Sequence, residues 1–151
     1  MVKLNKSTDD NKGFQCSDCG SIVLGVNRST HVCKKRAFSL FVPIRAITKY
    51  NGKMLTMRGG VYLRPEVKNF ESIIRNEAQK RFVGEPFKGD LRVDIVFEFS
   101  DRKMPDLFNL PKAVCDSLNK VVWEDDRQII FGTLKKGCTG TNSILIVVSE
   151  I

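Results

Sequence analysis

The stretch Leu91-Arg92-Val93-Asp94-Ile95-Val96-Phe97-Glu98-Phe99 decides how the fold is interpreted, because apolar residues recur at every second position along it. Successive side chains of a strand point to opposite faces, so this period of two predicts a strand with one buried face. The intervening Arg92, Asp94 and Glu98 should then face solvent. The other predicted elements are placed around this strand.

Before this strand the sequence predicts one more strand and a long helix. Phe38–Val42 is largely apolar and ends at Pro43, which cannot donate to a sheet ladder and therefore closes the strand. Residues 45–60 are basic and contain glycine turn signals, so they are expected to form a loop or an irregular hairpin. Pro65 suits the first turn of a helix that runs to about Phe82, with apolar residues at helical spacing.

After this strand the sequence predicts a second helix over residues 109–120 and two strands, Ile129–Phe131 and Ile144–Val148. A glycine-rich basic loop, residues 135–140, is expected to join those strands. The order β, α, β, α, β, β is typical of an α+β fold with helices on one face of a mixed sheet. We therefore predict a single compact domain over residues 37–151, a mixed β-sheet flanked by two helices.

Two shorter segments precede this domain. Residues 1–13 are polar and charged and are expected to form a flexible tail. Residues 14–36 hold a Cys-x2-Cys pair and, 11 residues later, a His-x-Cys pair. A Cys-x2-Cys turn brings two thiolates to one point for Zn²⁺, and a short segment without a core needs such a staple to fold. This predicts a zinc-ribbon-like segment, whereas the alternative is unconnected thiols in a mobile tail. The candidate ligands are Cys16, Cys19, His31 and Cys33.

The charge of the 151-residue chain is strongly positive, with a formal net value of +8. Between Cys19 and Pro65 there is no acidic residue at all. A polyanion-binding surface has this one-signed charge, since each phosphate that is neutralised releases counterions. The pattern favours nucleic acid as a partner over a basic face that is merely solvated. The candidate DNA contacts in this region are Lys34, Lys35, Arg36, Arg45, Lys49, Lys53, Arg58 and Arg64.

Membrane and secreted classes of protein are not favoured. No apolar run approaches the roughly 20 residues that span a bilayer, and residues 1–12 lack the apolar stretch of a secretory signal. The five cysteines therefore do not predict a disulfide framework. We expect a cytoplasmic protein that is associated with the nucleoid in a bacterial cell, with a phage or prophage as one source of the gene.

The second predicted helix carries polar residues on one face. Pro111 fits only the first turn of a helix, where its missing donor costs nothing, so the helix is expected to begin at Phe108 or Asn109. Asn109 would then serve as the N-cap. Lys112 and Asp116 follow on the same face as Asn109, so the helix separates a chemical side from a core side.

Carboxylates surround this helix. Asp106 lies just before it, and Asp125 and Asp126 follow Trp123 after it. Carboxylate oxygens are the ligands that Mg²⁺ or Mn²⁺ prefers, and a bound ion activates water for the hydrolysis of a phosphodiester. Lys112 could stabilise the charge that develops. The residues by themselves leave open a structural alternative, namely a helix cap, a surface ion pair and a turn.

The spacing of these residues resembles the motif of the RusA-type Holliday junction resolvases. That motif is close to Asp-x-Asp-Asn, followed at fixed spacings by a lysine, an aspartate and, after a tryptophan, an Asp-Asp pair. The resemblance runs from about Phe38 to the C-terminal end, and its many separate positions make it specific. The matching residues are Asp106, Asn109, Lys112, Asp116, Leu118, Trp123, Asp125 and Asp126.

This resemblance implies a small α+β homodimer that binds four-way DNA junctions in recombination and repair. It implies symmetric nicking of two opposing strands with Mg²⁺ or Mn²⁺. A twofold dimer suits a twofold junction, because each protomer can address one strand. The implied roles are metal ligation by Asp106 and Asp126 and catalysis by Lys112. Asn109 is a further candidate for contact with DNA.

One position departs from the family pattern. Phe108 stands where the family has its second carboxylate, and a phenylalanine cannot bind a metal ion. In an active endonuclease Asp116 or Asp125 would then complete the metal site. Alternatively, the chain is a junction- or nucleic-acid-binding protein on the same scaffold with an impaired nuclease site. A third interpretation is a structural zinc protein in a recombination or phage-packaging assembly.

Overall fold

A computed structural model describes residues 14–15, 22–23, 36–49, 53–55, 59 and 61–151 of the chain. The chain divides into two compact units, Met1–Arg36 and Ala37–Ile151. In the first unit β1 (Phe14–Gln15) pairs antiparallel with β2 (Ile22–Val23). The cysteines and the histidine predicted to bind zinc lie outside the described residues, so the zinc-ribbon-like segment stays a prediction.

A five-stranded sheet forms the scaffold of the second unit. Its strands are β3 (Ala37–Val42), β6 (Leu91–Phe99), β7 (Ile129–Phe131), β8 (Leu134–Cys138) and β9 (Ser143–Glu150). β6 runs antiparallel to β9 and parallel to β7 and β8, and β9 also pairs antiparallel with β3. The mixed sheet is therefore confirmed, and the alternating stretch that predicted β6 lies inside it.

Two segments that the sequence left irregular contain strands. β4 (Lys53–Leu55) and β5 (Val61–Leu63) form a separate antiparallel hairpin. β4 lies within residues 45–60, where a loop or an irregular hairpin was predicted, and β5 lies just after that range. Residues 135–140 were predicted as a loop, but most of them belong to β8, so that prediction is wrong. Among the described strands β8 pairs only with β6, and lysines are tolerated on such an edge, so no apolar alternation marks it.

The first helix, α1 (Pro65–Arg81), begins at its proline and ends one residue before the predicted end. Proline fits this position because its ring pre-sets the helical backbone and its missing N–H is not needed there. One stripe of the helix is buried against the sheet. The buried residues are Val67, Phe70, Ile74 and Ala78.

The second helix, α2 (Pro111–Leu118), is shorter than predicted. A separate 3-10 turn, Leu107–Asn109, comes before it, and the N-cap position falls on Leu110. The prediction of Asn109 as N-cap is therefore wrong. Leu110 is fully buried, which fixes the point where the chain enters the helix, and Pro111 occupies the first helical position.

The two helices cover one face of the sheet. The alternate residues of β6 from Leu91 to Phe99 form one core with the buried sides of α1 and α2. Trp123 is fully buried, and its indole N–H donates to Oδ1 of Asn119 at 2.6 Å. The predicted α+β architecture with two flanking helices is thus confirmed. Among the described residues, no helix is both long and apolar enough to cross a bilayer.

The other face of the sheet is open. Arg92 on β6 is exposed, and Asp94 and Glu98 are half-buried on the same side. Phe41 and Leu145 pair across β3 and β9 and also remain exposed. The core therefore sits entirely on the helical side, where the polar face of α2 is also found.

Candidate active site

The polar face of α2 carries the predicted catalytic lysine. Lys112 and Asp116 stand one helical turn apart, and Lys112 Nζ lies 2.8 Å from Asp116 Oδ1. The same Nζ lies 3.1 Å from Oδ2 of Asp126, which begins a 3-10 turn over Asp126–Gln128. The structure therefore brings three predicted site residues together around one ammonium group.

Two residues from other elements extend this arrangement. Lys49, in the segment after β3, donates to Asp116 Oδ2 at 2.7 Å. Its Nζ also lies 2.8 Å from Oε1 of Glu71 on α1. Glu71, Lys49, Asp116, Lys112 and Asp126 thus form a row of alternating charges, which we call the charge cluster.

Mutual pairing favours the ionised forms of Asp116, Lys49 and Lys112. Burial raises the pKa of Asp116, but hydrogen bonds from Lys112 and Lys49 outweigh burial and leave this pKa below its usual value. Burial lowers the pKa of Lys49, and pairing with Asp116 and Glu71 more than compensates, so the net pKa is raised. Hydrogen bonds to Asp116 and Asp126 hold the pKa of Lys112 far above its usual value. Lys112 is therefore a lasting cation at neutral pH and not a base.

Cys115 lies on α2 beside the charge cluster but does not offer a nucleophile. Burial, followed by the negative charges of Asp126 and Asp116, raises the pKa of its thiol to about 12. The thiolate is the reactive form of cysteine, and almost none of it is present at neutral pH. The chemistry of the site therefore belongs to the carboxylates and lysines.

Asp125 is engaged in local structure. Its Oδ1 accepts from the backbone N–H and from the side chain of Arg127, each at 3.0 Å. Together with Gln128, whose side chain accepts from the Asp125 backbone, it forms a capping box. The Arg127 side chain holds the pKa of Asp125 at about 2. Asp125 therefore orders the turn that presents Asp126 to Lys112.

Asp106 and Phe108 occupy the two motif positions where the family has carboxylates. Asp106 precedes the 3-10 turn and is exposed, and it takes part in no ion pair among the described residues. The Phe108 side chain is 80% exposed. Since it packs into no core, the fold does not require a phenylalanine there.

The described residues contain no group of three His, Cys, Asp or Glu side chains placed to hold a metal ion. Two carboxylates do converge, since Asp116 and Asp126 both contact Lys112 Nζ. Mg²⁺ is often held by one or two carboxylates, with waters and substrate phosphates completing its shell. The chemistry of this pair suits such an ion, but in this structure the Lys112 ammonium lies between the two carboxylates.

A groove lies next to Asp106 along the chain. It has a volume of about 290 Å³ and is lined by the segment after β3, the start of α1 and Pro105. Arg64 and Arg45, both predicted DNA contacts, line this groove. Arg64 is exposed at the entrance to α1 and is therefore accessible to a polyanion.

Arg45 differs from Arg64, because its guanidinium is engaged within the fold. It donates to the side chains of Asp101 and Asn142 and to the backbone carbonyl of Lys103. It also lies 5.2 Å from the centroid of the Phe99 ring. Arg45 therefore ties the segment after β3 to the end of β6.

The remaining predicted DNA contacts are scattered. Lys49 belongs to the charge cluster, Asn109 is half-buried in the 3-10 turn, and Lys53 lies in β4. Arg36 lies in the first unit. Lys34, Lys35 and Arg58 are outside the described residues.

Sequence reasoning missed two residues of α1 that border the site. Glu71 pairs with Lys49, and Arg75 donates to the backbone carbonyls of Asp116 and Asn119 at 3.2 and 3.3 Å. Glu71 and Arg75 are four residues apart and so share one side of α1, beside its buried stripe. That spacing was the available signal, but it does not identify the partner helix.

A fixed lysine ammonium can stabilise negative charge on a phosphate ester, and carboxylates can hold a metal ion that does the same. A family model of the endodeoxyribonuclease RusA matches residues 43–149, more than half of the chain. The chain belongs to the RusA endodeoxyribonuclease family, as its motif predicted. The matched region includes the whole charge cluster and Phe108, and it excludes residues 14–36, the predicted zinc-binding segment. No curated protein matches the chain at a significant level.

Proposed function

We propose that this chain resolves four-way DNA junctions in recombination and repair, by symmetric metal-assisted hydrolysis of phosphodiesters. Membership of a family of endodeoxyribonucleases that act on branched DNA supports this proposal. The observation that carries it is the position of Lys112 between Asp116 and Asp126, inside the matched region.

The proposed metal is Mg²⁺ or Mn²⁺, with Asp116 and Asp126 as its carboxylate ligands. Asp106, the third candidate, forms no three-carboxylate group with them among the described residues. Such an ion, when bound, makes water a better nucleophile and offsets the charge of the phosphate. Asp116 replaces the carboxylate that is missing at Phe108. Asp125 is the less favoured candidate, because its carboxylate accepts from the Arg127 backbone N–H and so caps the turn that presents Asp126.

Lys112 is proposed to stabilise the negative charge that develops at the phosphate. Its raised pKa keeps it an ammonium ion, and a fixed cation near developing charge lowers the barrier. Its side chain is 60% exposed, so it can reach a phosphate bound at the surface. Removal of this charge should therefore affect the chemical step more than the binding of DNA.

The proposed DNA surface is the groove beside Asp106, which Arg64 lines. Two protomers related by a twofold axis would address the two opposing strands of a junction. A structural Zn²⁺ on Cys16, Cys19, His31 and Cys33 is proposed to brace the basic segment before the nuclease domain. We place this activity in the cytoplasm, on chromosomal or phage DNA.

The deciding experiment is cleavage of a synthetic four-way junction with Mg²⁺ or Mn²⁺, with junction binding measured in parallel. We expect symmetric nicks from the wild-type chain and a loss of about 100-fold or more in cleavage for Lys112→Met at nearly unchanged binding. Lys80→Met, which removes an exposed lysine from α1, is the matched control. Equal cleavage by Lys112→Met and the control would overturn the proposal.

A second function is favoured by one observation, the exposed Phe108 at a ligand position of the motif. In this alternative the chain binds junctions without cutting them. Phe108→Asp separates the two functions. Cleavage that appears only in this variant supports the binding protein, and cleavage by the wild-type chain supports the endonuclease.

A further inference from the structure

We propose that Lys49 and Glu71 form a positioning pair that holds Asp116 in the orientation the active site needs. This inference rests on the proposed endonuclease function. It assigns Lys49 to the reacting centre and not to the DNA-binding surface, and it gives Glu71 a role that the motif does not contain.

The first argument is geometric. Lys49 Nζ lies 2.7 Å from Asp116 Oδ2 and 2.8 Å from Glu71 Oε1, so it bridges α2 and α1. The three side chains are each only about one-fifth exposed, at 21%, 20% and 22%. An ammonium between two carboxylates at this depth has little capacity left for a phosphate.

The second argument concerns Glu71 itself. Its Oε1 is buried, and the Lys49 ammonium lies 2.8 Å from it. A carboxylate oxygen taken out of water needs a cation to offset its lost hydration. The ion pair therefore holds Lys49 in place beside Asp116.

The third argument is that Asp116 is held at both ends. Arg75 donates to its backbone carbonyl at 3.2 Å, and Lys49 occupies its Oδ2. Its Oδ1 is thereby directed at Lys112, at 2.8 Å. Catalytic groups must be held within fractions of an ångström, and packed neighbours supply that restraint. Because Phe108 offers no ligand, Asp116 is the carboxylate whose placement matters most.

The test compares Lys49→Met, Lys49→Arg and Glu71→Gln with the wild-type chain on a four-way junction. The matched control is Lys80→Met, because Lys80 forms a 2.8 Å pair with Glu77 on the exposed side of α1. We expect Lys49→Met to lower kcat by about 10- to 100-fold at unchanged KM, since misplacement of a reacting group has this effect. Lys49→Arg should restore part of the rate, and Glu71→Gln should also lower kcat.

Binding data separate this role from a contact with DNA. A phosphate contact would weaken binding in Lys49→Met and reduce the salt slope by about 1, and that result would overturn the proposal. An unchanged salt slope with reduced kcat is the expected result. A kcat equal to that of the Lys80→Met control would also overturn it.

A measurement that does not depend on catalysis distinguishes failure of the positioning pair from failure of the proposed endonuclease function. Hydrogen-bonded lysine ammonium groups can be followed by ¹H–¹⁵N NMR, and the Lys112 signal reports whether Asp116 Oδ1 remains directed at it. We expect Lys49→Met to shift or broaden that signal and Lys80→Met to leave it unchanged. If the wild-type chain cuts no junction but this shift occurs, the proposed function fails and the positioning pair stands. If the Lys112 signal is the same in both variants, the pair is overturned.

Discussion

At the scale of single residues, Asp116 is the carboxylate that joins the two lysines of the charge cluster. Both of its carboxylate oxygens pair with ammonium groups, Oδ1 with Lys112 and Oδ2 with Lys49. A hydrogen bond to a charged group stabilises a fold more than one between neutral groups. When one partner is removed, the other stays partly buried and its lost hydration is no longer offset. This carboxylate should therefore affect both the stability of the fold and the chemistry of the site.

Asp116→Asn should lower the free energy of unfolding at pH 7 by about 1–3 kcal/mol, because the half-buried Lys49 and the more exposed Lys112 each lose one of their two carboxylate partners. The pKa of Asp116 is lowered in the folded state, so its contribution is complete above its ordinary pKa of about 3.9. The contribution disappears as the pH falls through the lower folded pKa. The free energies of unfolding of the wild-type chain and of Asp116→Asn, measured with urea between pH 2 and pH 7, should thus differ at neutral pH and converge in acid. Curves that stay parallel would contradict this prediction.

Phe108 leads to a prediction about metal binding that needs no activity measurement. Its side chain is 80% exposed, so Phe108→Asp should change the free energy of unfolding by no more than about 0.5 kcal/mol. If an added carboxylate completes a metal site, Mn²⁺ should raise the melting temperature of this variant more than that of the wild-type chain. Ile130→Asp, at an exposed position of β7, is the control for added charge. An equal Mn²⁺ effect in both variants would exclude the site.

At the scale of secondary-structure elements, the connection between β7 and β8 depends on one glycine. A Cβ at Gly132 would lie 1.9 Å from the carbonyl oxygen of Val93, because the chain passes directly over β6. The next residue is fixed as well, since the Thr133 carbonyl accepts from the Ile95 N–H at 2.9 Å. Both parallel partners of β6 are therefore aligned through this close approach.

Gly132→Ala should lower the free energy of unfolding by about 3 kcal/mol or more, because backbone has to move to admit the methyl group. Gly137→Ala is the matched control within β8, since a Cβ there meets no atom within 4 Å. That variant should stay within about 0.5 kcal/mol of the wild-type chain. Urea denaturation of the three proteins measures the difference. Equal midpoints for the two variants would show that the connection is not tightly fixed.

The elements differ in how far the sequence predicted them, for physical reasons. β6 and α1 have clear periods of two and of about 3.6 residues, and their bounds were predicted closely. β8 was missed because its lysines carry no apolar period, and the 3-10 turn was missed because burial of Leu110 sets the helix start. Tertiary contacts decided both cases.

The residues of the candidate site likewise differ in how far the sequence could predict them. Lys112, Asp116 and Asp126 could be singled out because they fall on a compact motif within one region of sequence. The contact of Lys49 with Asp116 joins residues 67 positions apart, and Glu71 comes from a third element. No local pattern encodes such contacts, so the sequence could suggest a basic surface at Lys49 but not its carboxylate partners.

At the scale of the whole molecule, the net charge of +8 predicts DNA binding that weakens steeply with salt. Arg64→Ala should reduce the slope of log K against log salt by about 1, because Arg64 is exposed and lines the groove. Arg45→Ala should instead lower the melting temperature, because it removes the guanidinium that joins Asp101, Asn142 and the Lys103 carbonyl. Junction binding at several salt concentrations and thermal melts test both variants. The prediction fails if Arg64→Ala lowers the melting temperature and Arg45→Ala reduces the salt slope.

The order of strands has a consequence for how the protein is made. β9 lies between β3 and β6 and pairs with both along their lengths, yet it is the last of these strands to leave the ribosome. Until it emerges, β3 and β6 each have an unpaired edge, and part of their apolar face is uncovered. The nuclease domain should therefore fold only after its synthesis is almost complete. Ribosome-bound chains that stop before Ser143 should be open to proteases and dependent on chaperones.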